Sequence, residues 1–310
     1  MGKKRFFDDR LKYLSFIQNT SEKRAISEQL APHIASMEQN RTFLRVLDAG
    51  TGDGTVKSNV IKTFHKYHPY TSLLITGKEI SYEDLKNTLE KMPDRFVEHP
   101  NLLVTMTNVK FAELGHIESS NKIKGKNVKS YTLVLKDDNS FDFHTQINKL
   151  NSFIKKNWGI EIDNKSRTSY ANPCIIRIYR EDHKRYIEPF IDNDYKNNNY
   201  DLIIASQAYR AASEVKTKVN NVIAPLMRLL NKSGKLLVTH SCGGDTVEKI
   251  LKVAWKDKNP FPNKAKDIIE FLKNNPGIRQ PHEKKASSET SAPVIINARF
   301  ARITPTGTPA

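Results

Sequence analysis

The sequence predicts a doubly wound α/β fold, in which helices cover both faces of a mostly parallel sheet. Short apolar runs of the length of buried strands alternate with segments of helical periodicity. The first run ends in a glycine-rich turn that leads into a helix, and the alternation resumes after a long lysine- and asparagine-rich interruption. Alternation of this kind builds a parallel sheet whose crossover helices cover it.

The first half of the sheet is expected within residues 41–118. Its strands are predicted at 43–50 (FLRVLDAG), 72–76 (SLLIT) and 102–106 (LLVTM). Helical spacing follows Gly54 and returns around 82–91, which completes a β-α-β-α-β order.

Residues 1–40 are expected to form an N-terminal helical cover. Two helices are predicted, at 8–18 and 21–38. Thr20 or Ser21 would cap the second helix, and Pro32 is expected to kink or split it.

An insertion is expected at 119–199, before the fourth strand, because the alternation breaks there. It contains predicted strands at 131–135 and 174–179 and an amphipathic helix around 144–157.

The second half of the sheet is expected at 200–280. Predicted elements are strands at 200–206 and 235–240, a long helix at 212–231 that contains Pro225, a turn at 233–234, and helices at 245–256 and 263–274. The remaining residues, 281–310, predict either a last strand or a poorly ordered tail.

Cysteine usage and hydropathy point to a soluble, cytoplasmic protein. Cys174 and Cys242 match no metal-ligand spacing, so no metal site is expected. The N-terminus lacks the apolar run of a signal peptide, and no stretch approaches the roughly 18 to 20 apolar residues that span a bilayer, so no membrane contact is expected.

The formal charge of +16 and the pI near 9.6 raise the question of a nucleic-acid partner. The basic residues are spread along the chain and interleaved with acids, as in REDHKR at 180–185, and lysine accompanies abundant asparagine. This pattern favours an ordinary solvated surface and leaves nucleic acid as a less favoured partner.

The segment from Asp48 to Gly54 (DAGTGDG) carries the strongest chemical signal. Glycines after a buried strand let a ligand approach the backbone closely, which indicates a nucleotide-like ligand. The dinucleotide fingerprint would need a third glycine where Thr55 stands, and no Gly-Lys-Ser or Gly-Lys-Thr follows, so nicotinamide and triphosphate sites are disfavoured.

This motif resembles the first motif of the class I methyltransferases, whose donor is S-adenosylmethionine. The resemblance implies a seven-stranded sheet and a donor site that includes Asp48, Gly50, Gly52 and Gly54. Glu79, just past the second predicted strand, would accept the ribose hydroxyls, as acidic residues do in dinucleotide sites. Asp48 would organise the loop or approach the methionine ammonium. Thr107 and Asn108 would border the adenine, unless they simply end the third strand.

The residues after the fourth strand address the acceptor. Ser206-Gln207-Ala208-Tyr209 stands where methyltransferases of base amino groups usually carry Asn-Pro-Pro-Tyr, which argues against DNA adenine as the substrate. Ser206 is expected to line the donor site, while Gln207 and Tyr209 would face the methyl group. His240, at the end of the fifth strand, is the best-placed candidate base, although a lone histidine is often structural.

The N-terminal sequence is similar to that of histamine N-methyltransferase, in FFDDRLKYLSF at 6–16 and NTSE at 19–22. Carried over, Phe7 and Tyr13 would line an amine pocket, Glu22 would bind the ammonium, and Gln207 would contact the substrate. Tyr13 and Glu22 lie about one helical turn closer together than in that family.

These observations predict an S-adenosylmethionine-dependent methyltransferase that acts on a small molecule at an amine or imidazole nitrogen by in-line displacement. One alternative is an RNA or protein methyltransferase whose basic insertion holds a larger substrate. Another is a donor-binding module without activity.

Overall fold

The computed structural model describes residues 22–117, 120–162, 168–192, 199–241, 261–279 and 294–298. Its strands are β1 (Phe43–Ala49), β2 (Ser72–Lys78), β3 (Leu102–Thr107), β4 (Lys122–Ile123), β5 (Lys126–Asn127), β6 (Lys129–Leu135), β7 (Ile160–Ile162), β8 (Thr168–Tyr170), β9 (Cys174–Arg180), β10 (Tyr200–Ala205), β11 (Leu230–Ser241) and β12 (Val294–Ala298).

The helices lie between these strands. They are α1 (Glu22–Ala35), α2 (Thr55–Tyr67), α3 (Tyr82–Glu90), α4 (Pro93–Glu98), α5 (Ser140–Asn148), α6 (Leu150–Asn157), α7 (Lys184–Ile187), α8 (Pro189–Asp192), α9 (Val215–Lys218), α10 (Ala224–Met227) and α11 (Ala265–Asn274), with 3₁₀ turns at Phe111–His116 and Pro276–Arg279 and a π-helix at Val219–Ile223.

The main sheet has the order β12-β11-β10-β1-β2-β3-β9-β6. All neighbouring strands in it are parallel except β3 and β9. The predicted doubly wound α/β class is therefore confirmed. The sheet has eight strands where seven are expected: six lie outside the predicted insertion, and β6 and β9 from the insertion extend the sheet beyond β3. Two small hairpins, β4–β5 and β7–β8, lie outside this sheet.

Side chains of the strands alternate between two apolar layers, as the period of a strand requires. Val46 of β1 and Ile204 of β10 belong to one layer, which α1, α2, α3, α5 and α6 cover. Leu47 and Ile203 belong to the other, which the 215–227 helical region and α11 cover. Burial on both faces explains why these strands read as continuous apolar runs.

Several elements differ from their predicted form. Helix α1 runs through Pro32 without splitting, whereas the predicted 144–157 helix is two helices, α5 and α6. The predicted helix at 212–231 spans 215–227, and it widens into a π-helix just before Pro225, whose missing N–H cannot continue an α-helical ladder.

The predicted turn at 233–234 is instead part of β11. The register against β10 shifts between Tyr200 and Leu202, as in a β-bulge. A Cβ at Gly234 would lie 2.5 Å from the carbonyl oxygen of Tyr200, so this close approach requires glycine.

The predicted helices at 8–18 and 245–256 lie outside the described residues. Within the described ranges, no helix combines the length and apolar character needed to cross a membrane. Residue 294 begins β12, which pairs with β11 and corresponds to the strand alternative predicted for the tail.

Candidate active site

The glycine loop after β1 has the backbone geometry that its composition predicts. Gly50, Gly52 and Gly54 have φ angles of 129°, 55° and 78°, which favour glycine. A Cβ at Gly54 would lie 2.7 Å from the Cα of Thr88, and one at Gly50 would lie 3.3 Å from the carbonyl oxygen of Ser206. At Gly52 such an atom would meet nothing within 4 Å. The loop therefore packs tightly at Gly50 and Gly54 and is open at Gly52.

Glu79 organises this loop from the end of β2. One carboxylate oxygen accepts a hydrogen bond of 2.8 Å from the Gly52 N–H, and the other accepts bonds of 2.8 Å from Ile80 N–H and Ser81 N–H. A carboxylate offers about four acceptor positions, so one remains for a further donor. The predicted pair of Glu79 and the glycine loop is thus in direct contact.

Asp48 lies at the end of β1 and is 1% exposed. Neither carboxylate oxygen has a hydrogen-bond partner among the described residues. Burial raises the pKa of Asp48 above its usual range, and the positive charge of Lys57 opposes that rise. A buried carboxylate that lacks hydrogen-bond donors is costly even beside a cation, and a polar or cationic ligand would supply the missing bonds.

Lys57 of α2 is a buried charged residue beside the site that no sequence motif indicates. It is 0% exposed, and its Nζ lies 3.1 Å from the sulfur of Met106. A Cβ at Gly77 would lie 2.6 Å from this Nζ and 2.7 Å from Thr51 Oγ1, so glycine on β2 leaves the space for the ammonium. The signal was present, because Lys57 falls on the same helical stripe as Val60, Ile61 and Phe64.

Thr107 and Asn108 are both buried and both bond to the insertion. The Thr107 hydroxyl donates to the carbonyl oxygen of Cys174 at 2.7 Å. Asn108 donates to the carbonyl oxygen of Asn172 at 2.9 Å and accepts from Cys174 N–H at 2.8 Å. These hydrogen bonds connect the end of β3 to the start of β9.

Glu22 and Gln207 are brought together, although 185 residues separate them in sequence. Gln207 Nε2 donates to Glu22 Oε1 at 2.8 Å, and Gln207 N–H donates to Thr239 Oγ1 at 2.9 Å. Gln207 has a φ of 52°, an uncommon conformation for a residue with a side chain. This backbone geometry follows β10 directly and lies next to Ser206, whose carbonyl oxygen borders Gly50.

Tyr209 and His240 form a second pair at the same edge of the sheet. The Tyr209 hydroxyl lies 3.2 Å from His240 Nδ1, and His240 Nε2 lies 3.0 Å from the carbonyl oxygen of Asn263. Because a carbonyl can only accept, Nε2 carries the proton and Nδ1 accepts from Tyr209. Burial lowers the pKa of His240 and raises that of Tyr209. His240 is fully buried, and its Nδ1 faces the Tyr209 hydroxyl.

The first turn of α1 also contacts the glycine loop. Lys23 forms an ion pair with Asp53, whose carboxylate also accepts from Thr55 N–H at 3.1 Å. Burial alone would raise the pKa of Asp53, but Lys23 and Thr55 outweigh it and hold this pKa below its usual range. Phe7 and Tyr13 lie outside the described residues.

The described residues offer no set of ligands for a metal ion. Among the described residues no group of three or more His, Cys, Asp or Glu side chains could hold a metal ion. Cys174 is buried, and burial raises its pKa to about 12, so its thiol is not poised as a nucleophile.

Comparisons with known proteins give a fold-level likeness. No protein-family model matches the chain, and no curated protein matches it significantly. Among solved structures, the rRNA methyltransferase aviRa from Streptomyces viridochromogenes is similar at 11% identity, with a TM-score of 0.26, over 68% of this chain and 71% of that chain.

Proposed function

We propose that the protein is a methyltransferase that takes its methyl group from S-adenosylmethionine, bound at the carboxyl ends of β1 and β2. The observation that carries this proposal is the buried Asp48 carboxylate, which has no hydrogen-bond partner in the described residues and stands beside the left-handed glycine loop. Ligands of doubly wound folds bind at this edge of the sheet.

The residues present fit this donor in charge and in shape. Asp48 offers a buried anion for the methionine ammonium, and Glu79 retains an acceptor position for a ribose hydroxyl. A second ribose bond would replace the one from Gly52 N–H. The open position at Gly52 leaves room for a ligand above the backbone.

The bound donor would supply a methyl group on a sulfonium, ready for in-line displacement by a nucleophile with a free lone pair. The chain itself then contributes alignment and exclusion of water. Gln207 orients the acceptor, and Tyr209 with His240 provides a buried route for a proton that the acceptor releases.

We further propose a small amine or imidazole as the acceptor. The Glu22–Gln207 hydrogen bond supports this class, because a carboxylate and an amide side by side can hold an ammonium and orient a nitrogen. Gln207 adopts an unfavourable backbone conformation at this position, which is typical of residues at functional sites.

Calorimetric titration with S-adenosylmethionine and S-adenosylhomocysteine tests the donor site. Glu79→Gln should weaken binding about 10- to 100-fold, because charge-assisted bonds to ribose are each worth about 1.5–3 kcal/mol. Glu83→Gln, an exposed acid nearby on α3, serves as the matched control and should bind as the wild type does. Absence of binding by the wild type would overturn the proposal.

Transfer of labelled methyl groups to a panel of small amines and imidazoles tests the acceptor. Gln207→Ala and Glu22→Gln should lower kcat/KM at least about tenfold while the donor affinity stays unchanged. Glu28→Gln, on an exposed position of α1, should have no effect. Methylation of RNA but of no small amine would contradict this acceptor class.

RNA is the second candidate acceptor, and one surface favours it. The β4–β5 hairpin and its flanks expose Lys110, Lys122, Lys124 and Lys129, with Lys124 at a left-handed turn position. This surface continues to the edge of the sheet where the donor is proposed to bind. Lys124 forms an ion pair with Glu113, and the Lys78 ammonium lies over the ring of Phe111 in the same 3₁₀ turn.

Salt-dependent retention on RNA decides between the two candidates. If RNA is held there, replacing Lys110, Lys122 and Lys129 by Gln should lower the salt slope by about 0.7 for each lost phosphate contact. The control replaces Lys149, Lys155 and Lys156 by Gln, which removes the same charge from another surface. Equal effects of the two triple substitutions would show that RNA retention depends on total charge and not on the β4–β5 surface.

A further inference from the structure

Lys57 is a buried cation for which the proposed reaction has no use. Its ammonium is fully enclosed between α2 and the sheet, where Thr51, Gly77 and Met106 surround it. The thioether of Met106, at 3.1 Å, is a weak acceptor and offers no compensating charge. The opposite charge that acts on Lys57 is that of Asp48, which raises the Lys57 pKa while burial lowers it more strongly.

No hydrogen bond joins Lys57 to Asp48, because neither oxygen of the Asp48 carboxylate has a hydrogen-bond partner in the described residues. Asp48 and Gly77 are partners in the β1–β2 register, so the two charges share one narrow space at the edge of the sheet. Lys57 therefore balances the charge of the Asp48 carboxylate without forming a hydrogen bond to it.

We propose that Lys57 is a proton-linked counter-ion of the donor site: when a cationic group of the donor engages Asp48, the Lys57 ammonium loses its proton to the solvent. The step is –NH₃⁺ → –NH₂ + H⁺, and the buffer accepts the proton. This inference rests on the proposed function and adds a positioning residue to its donor site.

Charge balance in the buried space supports this coupling. With the site empty, one anion faces one cation, and a second cation at Asp48 would leave an excess positive charge in a low-dielectric region. Among the described residues, two further charges act on Asp48: Glu79 raises the Asp48 pKa and Lys23 lowers it. Burial already lowers the pKa of Lys57, so the neutral amine is the accessible alternative.

A neutral Lys57 amine suits its surroundings, because it can still donate to Met106 while it no longer repels the ligand. An apolar residue in place of Lys57 would leave the Asp48 carboxylate without this balancing charge when the site is empty. The lysine therefore keeps the free protein stable and yields its charge on binding.

Calorimetry of S-adenosylhomocysteine binding at neutral pH, repeated in buffers that differ in ionisation enthalpy, measures this proton. The wild type should release up to about one proton per ligand. Lys57→Met should release none, whereas Lys62→Met, an exposed lysine on the same helix, should release as much as the wild type. Saturable binding without proton release by the wild type, or undiminished release by Lys57→Met, would overturn the inference and leave the proposed function intact.

The pH profile of the wild type supplies a test that needs no variant. Release from Lys57 should persist at pH values above the Asp48 pKa, which burial raises to about 6, whereas release confined to acidic pH would assign the proton to Asp48 and overturn the inference. If the wild type binds no donor, the proposed function fails and the inference fails with it.

Discussion

Gly52 and Gly54 are alike in sequence and in left-handed backbone, yet their surroundings differ. Gly54→Ala should lower the free energy of unfolding by about 3 kcal/mol or more, since strain adds to a collision with the Thr88 backbone. Gly52→Ala should cost only the backbone term, about 1–2 kcal/mol. Denaturant unfolding measures both, and equal costs would contradict the packing of Gly54 on α3.

His99 belongs to a histidine cluster at the opposite end of the sheet from the candidate site. Its Nε2 lies 3.1 Å from the carbonyl oxygen of Thr71 and its Nδ1 lies 3.2 Å from His65 Nδ1. Burial, then the neighbouring His65, lowers the pKa of His99 to about 4. The folded protein thus holds this ring neutral at pH values where the unfolded chain protonates it.

This depressed pKa predicts a loss of stability in acid. The contribution is fully present above the unfolded pKa of about 6.5 and is lost as the pH falls through the folded value near 4, up to about 3 kcal/mol. Unfolding free energies measured across this window should fall with pH in the wild type and much less in His99→Gln. Exposed His116→Gln is the control, and an unchanged slope in His99→Gln would contradict the prediction.

At single positions, the sequence identified residues by type and spacing but not by partner. The loop glycines, Asp48 and Glu79 could be predicted because their motif is local. Lys57 falls on an apolar helical stripe, but its full burial could not be predicted, because the ammonium of such a lysine is ordinarily expected to reach solvent. The sequence also could not decide whether Asn108 serves the ligand or the fold.

At the scale of elements, Asn108 joins β3 to the insertion. Asn108→Ala would leave the buried N–H of Cys174 without its acceptor and should lower stability by about 1–3 kcal/mol. Donor affinity should change less than about threefold. Asn108→Asp keeps the acceptor but replaces the donor to Asn172 with a buried carboxylate oxygen, so it should cost at least as much stability as Asn108→Ala. A loss of affinity at unchanged stability would instead support the predicted adenine-bordering role.

Helix α1 is held to the glycine loop by the partly buried Lys23–Asp53 ion pair. Lys23→Met should raise amide hydrogen exchange within α1, since local opening no longer breaks that contact. Arg24→Met is the control, because Arg24 pairs with Glu28 of its own helix and is well exposed. Similar exchange in the two variants would show that apolar packing alone holds α1 in place.

Element boundaries were predictable where periodicity was uniform and unpredictable where it was interrupted. The strands β1, β2, β3 and β10 match their apolar runs closely. The π-helix before Pro225 and the bulge near Gly234 depend on tertiary contacts, which no local pattern encodes.

For the whole molecule, the sequence predicted the parallel sheet but not how the insertion joins it. An apolar run does not reveal strand direction, so the antiparallel pairing of β9 with β3 could not be foreseen. This pairing brings the Cys174 region against Thr107 and Asn108 at the edge of the candidate site.

The place where the donor binds is tested most directly by a crystal structure grown with S-adenosylhomocysteine. We expect ligand density above the glycine loop, with ribose hydroxyls within hydrogen-bond distance of Glu79 and the ammonium facing Asp48. Saturating ligand that is absent from this edge, or bound elsewhere, would contradict it.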